Sequence, residues 1–499
     1  MKFIKSTSLQ QSICNVLISG ILGFSAFNVS AQTGSLEISE GETFVTLTWP
    51  DNRPLFSSPD LENYTLVEGA TSPYKFDLEG EDRFFFRLGI NPNIPEITEI
   101  SSLVEGSTVG TEFIPVQGIV GLDYLGVQGL IVTVNGTPAE ISTVGGIQRF
   151  TVPEQQLSVG LNQISVVFSS NQGVLETRNL TINYQPVIAN NVIILGDYAY
   201  TAGGAPGGGS VVHLETRERT QITVNGNGLS IDDVATDGTF LFTMDEGNDT
   251  LSVFSLDDPA NPQLVSGPVS TTSSFFSGVS AANGRVAVSG GTSRLIVRDY
   301  DTTSGELGEV ITNLDLGLGQ PDVLLSPDGN LAYTSTDFSS VIGGFSFGLT
   351  TVDLNSSSSS TTATTTQLGI SNIPDLGLNN GGQVPANFPL ESALLDDNLM
   401  ITSINDLAIV SLDGMTLEGS VNVGFFTVNV DAYGDTAFVV GSNNGVPSLA
   451  EIDFSKTDNP RVISTSTFTS NGLFTGVAVN ENHVVIAANA GGLRIIDRN

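Results

Sequence analysis

Cysteine is nearly absent, with one residue in 499. A disulfide scaffold is therefore excluded. Histidine is scarce at two residues and tryptophan occurs once. Lys and Arg total 17 against 53 Asp and Glu, a formal charge of −36. Such a surface repels the phosphate lattice of nucleic acid and the anionic face of a bilayer. Basic partners and cations remain compatible with it. Charged residues make up only 14% of the chain, roughly half the usual share. No H-E-x-x-H, G-x-S-x-G or Walker loop occurs. The glycine run Gly203 to Gly209 has no following Lys and no helical pattern, so it is not a phosphate cradle. Acid pairs are so common that none stands out as a general acid and base.

Glycine is abundant, at 55 residues, and accompanies many short runs rich in Val, Ile, Phe and Thr. This is the signature of an all-β chain. At its start, Lys2 and Lys5 precede a mostly apolar stretch, Ile13 to Phe27, and the small residues Val29-Ser30-Ala31. Residues 1–31 are expected to be a secretory signal peptide cut after Ala31. Cleavage would remove two Lys and no acid, taking the charge to −38. It would also remove Cys14, leaving no cysteine nucleophile or ligand. No later stretch is apolar enough to span a membrane as a helix. The expected location is secreted, extracellular or cell-surface, with the periplasm as an alternative.

Two small β modules are expected next. In 35–90, Phe44 to Trp49, Tyr64 to Val67 and Phe84 to Leu88 read as strands, separated by turn residues such as Pro50-Asp51-Asn52. The order of a Trp strand, Ser-Pro-Asp-Leu-Glu-Asn-Tyr, Pro-Tyr and Phe-Phe-Arg-Leu resembles short fibronectin-III-like modules of bacterial secreted proteins. Trp49 is read as the core aromatic of that module, with carbohydrate stacking as the other reading. In 96–184, strands are expected at Phe113 to Gly118, Leu130 to Val134, Phe150 to Val152, Leu161 to Phe168 and Leu180 to Tyr184. Val-Asn-Gly-Thr-Pro-Ala followed by Gly-Leu-Asn-Gln-Ile resembles bacterial immunoglobulin-like modules of the glucodextranase-B type, which implies a spacer or accessory binding role.

Residues 187–499 repeat. Each copy has a Gly or Asn corner, a strand, a loop and a second strand ending in an acid. The corners fall at 196, 238, 284, 329, 398, 434 and 482, spaced by 36–48 residues except for one gap of 69. That period matches a four-stranded propeller blade. The expectation is a seven-bladed β-propeller preceded by two small β-sandwich-like modules. Leu295-Ile296-Val297-Arg298-Asp299 and Leu493-Arg494-Ile495-Ile496-Asp497, with the acidic Pro-containing turns at 257–262 and 457–460, resemble the bacterial LVIVD-repeat β-propeller family. That resemblance implies a fold and a surface or secreted setting, but no activity. The last copy lacks room for an outermost strand; either Tyr184 to Ile188 supply one, or the ring closes without a shared blade.

Each innermost strand should begin at an apolar residue: Val192, Val234, Val279, Val323, Ala393, Val430 or Val477. The preceding positions are Asn191, Asp233, Gly278, Asp322, Ser392, Asn429 and Gly476, and Glu391 lies one residue earlier in its copy. Asn191, Asp233, Asp322, Glu391 and Asn429 form a candidate ring of oxygens for a hard cation such as Ca²⁺. The competing reading has them capping strands around a channel. The segment Asp245 to Asp249 and the acids ending the strands (Asp257, Asp299, Asp353, Asp413, Asp453, Asp497) read as turn acceptors. His213 and His483 read as structural residues with satisfied rings. Three functions compete: a non-enzymatic protein binding a protein or glycan, a channel-metal hydrolase or lactonase using Asp233, Asp322, Asn429 and Glu391, and a structural envelope component.

Overall fold

A computed structural model describes residues 98–499 apart from 122–123, 125–126, 145–146, 204–207, 225–226, 229, 246, 272–275, 291–293, 317–321, 338–346, 356–362, 369–391, 396, 404, 414, 469–471 and 499. Before residue 98 it describes 16–19, 27–29, 36–40, 44–48, 55–58, 65–67, 70, 74–77 and 83–88. Cys14, Trp49 and Glu391 lie outside the described residues. The chain is all-β, built from mostly four-stranded sheets whose strands pair antiparallel, except that Thr108–Val109 runs parallel to Gly173–Tyr184. Among the described residues, no helix is long and apolar enough to cross a membrane.

The chain divides into two units. The first comprises 1–105, 115–155 and 163–180. Its early part has two four-stranded antiparallel sheets. In one, Phe27–Val29, Leu36–Glu40, Phe44–Thr48 and Tyr74–Asp77 pair in chain order. In the other, Arg83–Leu88 lies between Val16–Ser19 and Leu55–Ser58, and Thr65–Leu66 borders the latter. Val16–Ser19 and Phe27–Val29 both fall inside the segment expected to be cleaved. Between 99 and 184 run the longer strands Phe113–Ile119, Ile147–Gln156, Gly160–Ser170 and Gly173–Tyr184. Alternation along them drives every second side chain inward. Phe150 meets Phe168 edge-on at 5.9 Å, and Tyr124 stacks on Phe168 at 5.0 Å.

The second unit comprises 106–114, 156–162 and 181–499. Seven sheets of three or four strands run through 191–497, one to each repeat copy, with a two-stranded sheet of Thr223–Val224 and Asn227–Gly228 between the first two. The first six have four strands, and the seventh has three in the described residues. Their first strands are Asn191–Leu195, Asp233–Thr236, Phe276–Ala282, Val323–Leu325, Ser392–Leu395, Phe426–Tyr433 and Gly476–Val479. The sheets are numbered 1 to 7 in that order. Within each, strands pair antiparallel in chain order. This arrangement is compatible with a β-propeller.

Second strands are buried on both faces, as in Phe240–Asp245 and His483–Ala487. That is why they read as continuous apolar runs and not as alternating ones. Fourth strands such as Gln263–Ser270 are largely exposed. The corners between first and second strands need a left-handed backbone, and glycine adopts it without a Cβ clash. Gly238 sits at φ 92° and Gly434 at φ 58°.

Hydrophobic clusters fill the spaces between successive sheets. Phe242, Met244 and Val253 of sheet 2 pack on Val279, Val288 and Ile296 of sheet 3. Phe438 and Val440 of sheet 6 pack on Val477 and Ile486 of sheet 7. Val192, Ala199 and Val212 of sheet 1 pack on Ala478, Val485 and Leu493 of sheet 7, so the series closes on itself. The first strands touch in the same cycle, including that of sheet 7 against that of sheet 1. Phe242 is fully buried, its ring 4.8 Å from that of Tyr300. Truncation by Phe242→Ala is expected to cost about 3–5 kcal/mol, read from the denaturant midpoint.

The closing contact is not a strand from Tyr184 to Ile188. Residues 185–188 form no strand. Instead Ala189 bridges Asn489, and Thr111 runs parallel beside Leu493 at the outer side of sheet 7. Pro186 offers no N–H for a ladder, which disfavours a strand there.

Candidate functional site

Each first strand lies at one edge of its sheet and is paired along one side only. Its other side carries N–H and C=O groups that need partners. Seven such edges converge on one cavity of about 350 Å³. Asn191, Asp233, Asp322, Ser392 and Asn429 all line it, so the sequence alignment brought five positions of the seven to one place.

Their polar atoms meet the neighbouring sheets. The Asn191 amide nitrogen donates to Asp233 Oδ1 at 2.6 Å, linking sheets 1 and 2. Asp233 Oδ2 accepts from Val279 N at 2.7 Å, linking 2 and 3. Ser280 Oγ accepts from Leu325 N at 3.0 Å, linking 3 and 4. Asp322 Oδ2 accepts from Ser392 N at 3.1 Å and from Ser392 Oγ at 2.6 Å, linking 4 and 5. Its Oδ1 accepts from Val323 N at 2.8 Å. Asn429 Oδ1 accepts from Val477 N at 3.3 Å, and Asp431 Oδ2 from Val479 N at 2.7 Å, both linking 6 and 7. A few side chains thus satisfy edge amides that would otherwise be orphaned beside the cavity.

The two glycines of the ring have a steric reason. A Cβ at 278 would stand 2.9 Å from Ser289 Oγ of its own sheet and 3.3 Å from Asp322 Oδ1, and one at 476 would stand 2.9 Å from Asn191 Oδ1. Each glycine makes room for a neighbouring sheet's polar side chain.

Burial dominates the electrostatics. It pushes the Asp233 carboxyl up to about 7, with the Asp322 charge adding to the rise and the Asn191 and Val279 bonds opposing it. Burial also raises Asp322, against its bonds from Ser392 and Val323. Asp431 is pushed up to about 6, again by burial. Among the described residues, no group of three or more His, Cys, Asp and Glu side chains is arranged to hold a metal. Ca²⁺ takes six to eight oxygens around one point. The described oxygens of the expected ring instead face N–H and O–H donors, a poor fit to that cation.

Asp431 and Ser280 were missed in the sequence. They lie two residues beyond the ring position, on the same side of the strand. Only two of seven copies are polar there, so the column carries little signal.

Elsewhere the turn readings hold for several acids. Asp245 accepts from Asn248 N and Nδ2, Asp353 Oδ1 from Asn355 N, and Asp453 Oδ1 from Ser455 N. Asp497 instead pairs with Arg217 at 3.3 Å. His213 Nδ1 accepts from Glu215 N and Thr216 N, a structural role. His483 departs from expectation, because its Nδ1 is buried with no partner.

No family model matches the chain, and no curated protein matches it. A chain of the mitotic checkpoint complex aligns with 62% of this chain and 90% of its own, at 11% identity and TM-score 0.44. A chain of Kuenenia stuttgartiensis hydrazine synthase aligns over 61% and 90%, at 15% and 0.38. A Bacteroides thetaiotaomicron protein of unknown function aligns over 81% and 98%, at 14% and 0.37. Likeness at this level carries no function across.

Proposed function

We propose that this is a non-enzymatic, secreted or cell-surface interaction protein. In this reading the seven sheets are the blades of a β-propeller of the LVIVD-repeat type, and the N-terminal modules are spacers. The observation that carries it is the commitment of the polar ring to its neighbours' backbones. Groups that hold sheets together are poorly placed to bind substrate or move protons.

Strand connectivity supports a recognition end. In four antiparallel strands, the connection after the second strand and the one to the next sheet lie at the end where first strands begin. The gaps in sequence between Asp337 and Phe347 and between Leu368 and Ser392 separate strand ends that lie at that end. Hairpins at the other end span two to nine residues, all far shorter than the stretch between Leu368 and Ser392. Longer connections on a rigid scaffold are where binding residues concentrate. A protein or glycan partner with basic groups suits the net charge of −36.

The test uses residues 32–499, purified, with a variant in which 369–391 is replaced by a short Gly-Ser linker. Saturable binding to purified envelope glycan or protein fractions, weakened in the variant, is the expected result. Calorimetry with Ca²⁺ and an ester and lactone panel run alongside, on wild type and on the Asp233→Ala/Asp322→Ala variant. A Ca²⁺ site and hydrolysis that both vanish in that variant would overturn the reading in favour of a metal-dependent hydrolase.

A further inference from the structure

Where sheet 7 meets sheet 1, at the end opposite the polar ring, four ionisable side chains cluster. Arg217 follows the third strand of sheet 1, in the hairpin between Ser210–His213 and Arg219–Gln221. It is buried, 4% exposed, with a left-handed φ of 62°. Its carbonyl accepts from Gly110 N, and its Nη2 reaches Asp497 Oδ1 at 3.3 Å. Asp497 ends the last strand of sheet 7. His483 opens the second strand of sheet 7 and is 6% exposed. Its Nε2 lies 3.5 Å from Glu215 Oε1 and 3.6 Å from Asp497 Oδ1. On the far side of the ring, Nδ1 is sealed from solvent and meets no partner, and so is Arg217 Nη1.

That geometry fits one protonation state of the imidazole. A hydrogen on Nε2 faces two carboxylates, while a bare Nδ1 needs only to stay unprotonated. A second proton would place a buried N–H⁺ on Nδ1 with no acceptor, a costly arrangement. It would also set a second cation beside the Arg217 guanidinium, with Asp497 shared between them. The imidazolium can meet acceptors or water only by leaving its place, which loosens Asp497 and Glu215 from the seam.

We propose that His483, Arg217, Asp497 and Glu215 form a proton-sensitive clasp, closed at neutral pH and released in mild acid, that controls how firmly the last sheet is joined to the first. The charged groups facing His483 are Arg217, Glu215 and Asp197 from sheet 1 and Asp497 from its own sheet. Burial and the Arg217 charge hold its imidazole below the ordinary value, and the three carboxylates only partly offset them. The sign follows from linkage. The unfolded imidazole takes a proton at the ordinary value while the folded one resists, so the clasp is lost as pH falls below ~6.5. This inference concerns the sheet cycle alone and stands whether or not the proposed function does.

The test is hydrogen exchange on residues 32–499, corrected for intrinsic rates, at about pH 7.5 and about pH 5, which bracket the imidazole titration. Amides of 213–219 and 483–497 are expected to lose protection at the lower pH. Amides of sheet 3, away from the seam, should not follow. His483→Gln keeps a neutral donor and is expected to remove the pH dependence. Nitrogen-15 spectra of the wild-type imidazole, which need no variant, should show the Nε2–H tautomer at neutral pH. Equal protection at both pH values, or an Nδ1–H tautomer, would overturn the clasp. So would a folded His483→Gln variant as pH-sensitive as wild type.

Discussion

Acidification from about pH 8 to about pH 4.5 is expected to stabilise the seven-sheet unit as a whole, the reverse of the common pattern of acid lability, because three buried carboxyls gain more than the single His483 imidazole at the seam loses. Asp233, raised to about 7, and Asp431, raised to about 6, exceed the ordinary carboxylate value, and Asp322 is raised beside them. In the window between the ordinary value and these raised ones, the folded chain binds more protons than the unfolded chain. Stability therefore falls as pH rises through that window and is flat above it. A rise of two units is worth about 3 kcal/mol per group at full effect. For a unit of this size the summed change corresponds to a melting shift on the order of 10 °C. At still lower pH the gain reverses, because Asp453, held down near 2 by Ser455 and Arg461, loses its charge. Repulsion within a chain of net charge −36 also eases in acid, so the decisive comparison is with variants. Asp431→Asn keeps an acceptor for Val479 N or Ala432 N and removes the titration. Its melting temperature should vary less with pH than that of wild type. Identical pH profiles for wild type and Asp431→Asn would show that the buried carboxyl does not titrate with folding.

The seven-copy period was legible because each copy repeats the same demands. A left-handed corner asks for Gly, a doubly buried second strand asks for an apolar run, and a strand end asks for an acid. The starts of the innermost strands could be aligned for the same reason, and the described ring residues do line one cavity. Their chemistry was less legible. Asp, Asn and Ser at a strand start suit a cation, a strand cap or an amide of the next sheet equally well. Only the position of that next edge decides between them. Gly278 and Gly476 looked like gaps in the ring, yet each admits a neighbour's side chain. The closure was unreadable because it joins residues far apart in sequence: Thr111 to Leu493, Ala189 to Asn489 and Arg217 to Asp497. No local pattern marks such pairs, and His483 and His213 carry the same alternating context while only one is satisfied.

Those distant contacts set up the other large effect. Removing Leu493–Asn499 is expected to abolish cooperative folding of the whole sheet cycle, not merely to fray its end. Leu493 is buried in the cluster between sheets 7 and 1, and deleting one such side chain costs about 2–5 kcal/mol. The deletion also strips the partner strand from His483–Ala487, exposing a sheet edge in the middle of a packed seam. Arg217 would also lose Asp497, whose carboxylate is 62% exposed, so solvent screening holds that further cost to about 1 kcal/mol. The Arg494 guanidinium, seated over the rings of Phe113 and Phe468 at 5.0 and 4.7 Å, would go as well. The sum rivals the about 5–15 kcal/mol net stability of a typical domain. In a linear array of sheets the loss would stay local, with sheets 2 to 5 melting as before. In a closed cycle, opening one seam exposes an apolar face on both sheets 1 and 7. Calorimetry and protease digestion of the truncated chain separate the two cases. The expected result is a broad, low-temperature transition with cleavage throughout 187–492. An unchanged main transition, with cleavage confined to sheet 7, would mean that the sheets are held as neighbours only and that closure contributes little.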